Sequence, residues 1–99
     1  MKKEEIIKEF SKNNLLKEVL NFAEIWFRER DKITFHDPLA ASILFRKEIC
    51  KFKKGNVCIK IEGDNKGLTE FIENEKGNIN VAFDVDINSF FSHFFNFFQ

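Results

Sequence analysis

The period of the apolar residues changes once along this chain, and that change restricts the fold more than any other feature. Leu16, Val19, Leu20, Ala23, Trp26 and Phe27 follow the i, i+3, i+4, i+7 spacing of a helix with one buried stripe. Further on the period is two. Val57, Ile59 and Ile61 alternate with Cys58, Lys60 and Glu62, and Ile79, Val81, Phe83 and Val85 repeat the pattern, as half-buried strands do. The expected fold class is therefore α/β: N-terminal helices, a small sheet of about three strands, and a closing C-terminal helix.

The local signals fill in this outline. A short helix is expected over 3–12, with Ile6, Ile7 and Phe10 on one face. Asn14 can cap a second helix running from about Leu15 to Arg30, and a third should run from Pro38 to about Lys47, with Leu39, Ile43 and Leu44 inward. Gly63 and Gly67 bracket a turn after the first strand, so Leu68–Glu73 can return as the second arm of a hairpin. Gly77-Asn78 marks another turn, the strongest strand follows, and Asp86 or Asn88 starts a last helix.

Ninety-nine residues with no repeat, linker or composition shift read as one domain, 1–99. Fourteen Phe, one Trp and no Tyr give an unusual aromatic set, which must mostly be inside or mark a partner surface. Trp26 reads as core, and His93, set among Phe residues on a helix, reads as structural. Zero net charge gives no general attraction to nucleic acid, and Arg46, Lys47, Lys51, Lys53 and Lys54 read as a solvated loop. Cys50 and Cys58 lie far in sequence from His36 and His93 and form no C-x-x-C pair, so two free thiols in a cytoplasmic protein are expected rather than zinc. No segment approaches the ~20 apolar residues of a membrane span, so no membrane association is expected.

The run His36-Asp37-Pro38-Leu39-Ala40-Ala41 carries the chemistry. Pro38 suits the first helical position, where a missing N–H costs nothing. Asp37 then falls at the N-cap, its carboxylate accepting from unpaired backbone donors, and His36 stays on the entering loop. Asp84 and Asp86 stand two apart on a strand, on one face, as a metal pair would; but Asp86 sits where a helix begins, so it reads as a cap rather than as a ligand.

In context this run resembles the His-Asp-Pro-Leu-Ala motif of the nucleoside hydrolases. Three further pieces extend the resemblance over about residues 14–98. Val57-Cys58-Ile59-Lys60-Ile61-Glu62 stands where that family has an alternating strand. Lys66-Gly67-Leu68-Thr69 is similar to its Arg-Gly-x-Thr turn, with Lys for Arg. Asn80-Val81-Ala82-Phe83-Asp84-Val85-Asp86, followed by Phe90, is similar to its closing strand and helix. The chain thus looks like the C-terminal third of such an enzyme.

The resemblance implies a glycosidase that hydrolyses the N-glycosidic bond of ribonucleosides. In it a calcium ion holds the ribose hydroxyls and a water, and an aspartate activates that water. His36 matches the histidine that assists departure of the base, and Asp37 matches a calcium ligand. Glu24 and Arg28, on the preceding helix, match the positions that reach the base pocket.

The departure is as informative. The family's Asp-rich N-terminal segment, which supplies most of the calcium site and the water-activating base, has no counterpart among these 99 residues. Calcium takes about 6–8 oxygen ligands and the motif supplies one carboxylate. The expectation is a truncated nucleoside-hydrolase homologue that binds no calcium and does not catalyse the family reaction alone. Two alternatives stand beside it: one half of a split enzyme, completed by a chain carrying the Asp cluster, or a non-enzymatic interaction module. The expected partners are a second copy of this chain or that complementary chain, with a ribonucleoside only once the site is complete.

Overall fold

The structure is a computed structural model describing all 99 residues. Four helices and a three-stranded antiparallel sheet make a small mixed α/β fold, and the chain divides into two compact units. Met1–Lys47 with Ile87–Gln99 forms a helical unit, and Glu48–Asp86 forms a sheet unit. No helix is long and apolar enough to cross a membrane.

The helical unit contains α1 (Lys3–Phe10), α2 (Asn14–Trp26), α3 (His36–Ile43) and α4 (Ile87–Asn96). Helix α1 packs on α2, and α3 packs on α4. The cap of α2 is Asn13 rather than Asn14: its side-chain oxygen accepts from the N–H groups of Leu15 at 2.9 Å and Leu16 at 3.2 Å. Asn14 is already helical. Helix α2 also ends at Trp26, four residues short of the expected Arg30, in a run of turns.

The core of this unit is built from aromatic edges. Phe35 is buried at the entrance to α3, and its ring meets Phe10, Phe90, Phe91 and Phe94 edge-on at centroid distances of 5.2–6.3 Å. Phe10 reaches Phe95 in the same way at 6.2 Å. Such pairs place the positive ring edge against the negative face, a favourable quadrupole contact. Ile6, Leu16, Ala23 and Phe27 complete the buried set. The α2 stripe is narrower than its sequence spacing suggests, because Val19 and Trp26 are exposed.

The sheet unit has strand order β2-β1-β3, with β1 Cys50–Ile59, β2 Thr69–Glu73 and β3 Ile79–Val85. The first strand starts seven residues before the expected Val57. The supposed basic loop is therefore mostly strand, and two of its lysines, Lys51 and Lys53, are tied across the sheet. Lys51 Nζ pairs with Asp84 at 3.0 Å, and Lys53 Nζ with Glu73 at 2.9 Å. Gly55 in the middle of β1 has no room for a side chain: a Cβ there would strike Ile72 O and the Phe71 ring. At the β1–β2 connection Gly67 has φ +92°, a left-handed position that glycine takes without strain, and its N–H donates to Lys60 O at 2.7 Å.

Antiparallel partners lie on the same face of a sheet. Gly55 pairs with Ile79, Lys53 with Val81, Val57 with Phe71 and Ile59 with Thr69. One face thus gathers Val57, Ile59, Phe71, Ile79 and Val81. Phe83 joins it beyond a bulge, its ring centroid 5.0 Å from Lys53 Nζ. Val57, Ile59, Ile79 and Phe83 are all exposed to solvent.

Candidate functional site

The His36 site is built on a loop held at both ends. From Arg30 to Phe35 the chain has no regular structure, yet its backbone is pinned to the N-terminal residues. Lys3 N–H donates to Asp31 O at 2.9 Å, and Ile33 N–H donates to Met1 O at 3.0 Å. The Trp26 indole N–H reaches across the loop to Lys32 O at 2.9 Å. Trp26 is therefore not a core residue. It is 52% exposed, its indole N–H is satisfied by the loop, and it lines a cavity. An indole buried whole would need an internal acceptor for that N–H, and the loop carbonyl supplies one at the surface.

The cavity measures about 520 Å³ and is lined by Trp26, Arg30, Asp31, Ile33, Thr34 and His36, with Lys32. The Arg30 guanidinium carbon lies 5.7 Å from the Trp26 ring, a cation–π contact that orients both groups. His36 is exposed on this cavity, and its imidazole makes no hydrogen bond or ion pair. It is thus open to a ligand as donor or acceptor. The site combines one aromatic face, one unpaired imidazole and three charged side chains of mixed sign.

The start of α3 differs from its sequence reading. Leu39 N–H bonds Phe35 O at 3.2 Å, so the first helical turn closes on Phe35 and the helix begins at His36. Phe35 is the N-cap position, with no side-chain cap. His36 is thus the first helical residue rather than a loop residue. Asp37 is not the cap; it lies in the first turn, exposed, where its charge faces the positive end of the helix. Pro38 is third, still among the positions whose N–H has no helical partner.

Glu24 and Arg28 are placed elsewhere. They line a second cavity of about 420 Å³ with Lys3, Ile7, Leu20 and Phe27. Glu24 stands two residues before Trp26 on α2, which on a helix is the opposite side, and Arg28 lies beyond the end of α2 in the following turns. In those turns Arg30 N–H donates to Trp26 O at 3.1 Å, and the Arg30 guanidinium meets the Trp26 ring. The structure brings His36 together with Trp26 and Arg30, and does not bring Glu24 or Arg28 to it. The i, i+4 spacing of Trp26 and Arg30 is the sequence signal that points to this pair.

Calcium does not fit the residues present. No group of three or more His, Cys, Asp or Glu side chains that could hold a metal ion occurs. Asp37 is a single exposed carboxylate, and Asp84 is engaged with Lys51 and with the Val85 N–H at 3.0 Å. The Lys51 hydrogen bond, then its charge, then the Val85 N–H hold the Asp84 carboxyl below its usual range. The two thiols are free: Cys58 is exposed and Cys50 buried. Burial, and after it the Asp84 charge, push the Cys50 thiol up. No known family model matches the chain, and no curated protein matches it.

Proposed function

We propose that this chain is a nucleoside-hydrolase homologue carrying the base side of the site, with His36 as the group that protonates the departing base. The observation that carries the reading is the position of His36. It opens the motif helix on a cavity walled by an exposed indole, and the imidazole has no partner inside the chain. A purine or pyrimidine ring can stack on the Trp26 face while His36 reaches its ring nitrogen. The order of elements supports the same reading: motif helix, strand, Gly67 turn, strand, strand and closing helix follow one another as the resemblance requires.

The reaction itself needs more than this. Base departure leaves an electron-poor sugar that must be met by an activated water, and general acid help from one histidine contributes only about 10²–10⁴-fold. The chain offers no carboxylate cluster to activate that water or to hold calcium. It therefore does not hydrolyse nucleosides by itself, and a complementary chain bearing the Asp cluster would complete the site. Free thiols at Cys50 and Cys58 suit a reducing, cytoplasmic setting.

A non-enzymatic interaction module is the second reading, favoured by the exposed apolar sheet face of Val57, Ile59, Ile79 and Phe83. A second copy or the complementary chain would cover that face. Base release from inosine and uridine, with and without calcium, tests the primary reading. The chain alone should stay at background, and a chain carrying the Asp cluster should restore turnover that His36→Ala removes. Turnover by the chain alone, lost in His36→Ala, would show a complete site and overturn the proposed incompleteness.

A further inference from the structure

One wall of the His36 cavity is gripped from two sides at three consecutive carbonyls. Residues 1–3 run antiparallel to residues 31–33 as a short bridge centred on Lys2 and Lys32. On that side Lys3 N–H donates to Asp31 O at 2.9 Å, Ile33 N–H donates to Met1 O at 3.0 Å, and the Met1 nitrogen donates to Ile33 O at 3.0 Å. Successive carbonyls of an extended segment point to opposite edges, so Lys32 O faces away from residues 1–3. There the Trp26 indole N–H meets it at 2.9 Å.

Little else holds this wall. Asp31, Lys32 and Thr34 are exposed and Ile33 is half-buried. Buried rings stand at both ends of the stretch, Phe27 before it and Phe35 after it. A segment with few buried contacts and exposed backbone hydrogen bonds opens locally at low free energy. The stretch between the two rings can therefore open while the helical core stays closed. Opening takes Asp31, Ile33 and Thr34 out of the cavity wall and takes the acceptor from the Trp26 indole. The wall and the aromatic group then change together.

We propose that residues 1–3 are a latch that positions this wall: closed, it holds residues 31–33 and the Trp26 indole as one unit, and the closed state is the one that takes a ligand. Lys3 acts through the loop and is a positioning residue. The ligand part rests on the base-pocket reading, and the latch itself does not. Binding and closing are linked, so a base bound to the closed state holds the latch shut.

Lys3→Pro tests the latch at one atom. Lys3 is the first residue of α1, where proline is well tolerated, and Lys2 has the extended backbone (ψ 161°) that a following proline requires. The change deletes the donor to Asp31 O and leaves the helix. Lys3→Ala is the control: it keeps that N–H and loses only the side chain, whose Nζ lies 5.7 Å from the Phe27 ring centroid. By solvent-exchange NMR, the Ile33 N–H and the Trp26 indole N–H should both exchange about 2–10-fold faster in Lys3→Pro than in Lys3→Ala, the size of one net hydrogen bond. Circular dichroism should be the same in both. Trp26→Phe removes the donor on the other side and should speed Ile33 exchange by a similar factor. In the wild type, hypoxanthine at three times its Kd should slow both protons about fourfold. Unchanged exchange in Lys3→Pro and Trp26→Phe would overturn the latch, and acceleration at Ile33 alone would overturn the joint unit. Hypoxanthine that binds without slowing exchange would overturn the claim that the closed state takes the ligand. Hypoxanthine that does not bind would overturn the base-pocket reading and that claim with it, while faster exchange of both protons in Lys3→Pro would still establish the latch.

Discussion

Replacing Phe35 with alanine should be among the most damaging single changes to the helical unit, and the damage should reach the candidate site. Phe35 is only 9% exposed and touches four other rings, the nearest being Phe91 at 5.2 Å and Phe94 at 5.4 Å. Truncating a buried Phe costs about 3–5 kcal/mol through lost transfer energy and the cavity left behind. Each edge-to-face pair adds roughly 0.5–1.5 kcal/mol beyond burial, which places Phe35→Ala in the upper part of that range. A domain of this size has about 5–15 kcal/mol in all, so the variant should be barely folded. Phe35→Leu keeps most of the volume and should cost about 1–2 kcal/mol. Urea denaturation followed by Trp26 fluorescence reads the unit that contains both residues. Phe45→Ala, at an exposed position, serves as the control and should change stability by about 0.5 kcal/mol or less. The main-chain carbonyl of residue 35, which closes the first turn of α3, is kept in Phe35→Ala, so His36 should leave its place only as the weakened helical unit itself opens. A Phe35→Ala variant no less stable than Phe45→Ala would refute this account of the core.

Four further outcomes follow from the same structure. Asn13→Ala should cost about 1 kcal/mol, because Asn13 caps α2 through two backbone N–H groups, whereas Asp37→Ala should cost only a few tenths; equal thermal shifts would contradict that difference. One thiol should react quickly with a disulfide reagent in the folded chain, and Cys58→Ser should abolish that fast phase; Cys50 should react only on unfolding. The Asp84 carboxyl titrates lower in the folded than in the unfolded chain, so its pairing with Lys51 contributes fully above the unfolded carboxylate range. That contribution should fade as pH falls through the folded value, and acid melts of Asp84→Asn should lack this component. Light scattering at micromolar concentration should give about twice the 11.8 kDa chain mass, with the exposed sheet face as the contact, and Phe83→Lys should return it to the monomer mass.

The change of apolar period was enough to place the helices before the strands, and the glycines placed both turns. What the pattern hid has physical causes. The first half of β1 looked like a charged loop because Lys51 and Lys53 carry charge where apolar residues were expected. Across the sheet, Asp84 and Glu73 neutralise them. Capping could not be resolved to one residue. Asn13 and Asn14 are adjacent and chemically equal, and only the backbone angle at Asn13 (ψ 137°) makes it the cap. Asp37 has the chemistry of a cap, but the turn closes two residues earlier on Phe35, whose side chain caps nothing. Trp26 sits on an apolar stripe and so reads as core, until the indole N–H finds its acceptor on the surface loop. His36 was legible as a candidate from its motif. Its neighbours Arg30 to Thr34 were not, because their place depends on a bridge to Lys2 and Lys3 some thirty residues away.

The central claim is that His36 and Trp26 receive a nucleobase, and titration with hypoxanthine tests it most directly. Trp26 is the only tryptophan, so its fluorescence reports the cavity without interference. A bare purine on a partly open site should bind on the order of 1 mM. The account predicts saturable quenching of Trp26, a matching shift of the His36 ring signals by NMR, at least a severalfold loss of affinity in His36→Ala, and no response to ribose alone. Linear, unsaturable quenching with no movement of the His36 signals would contradict it.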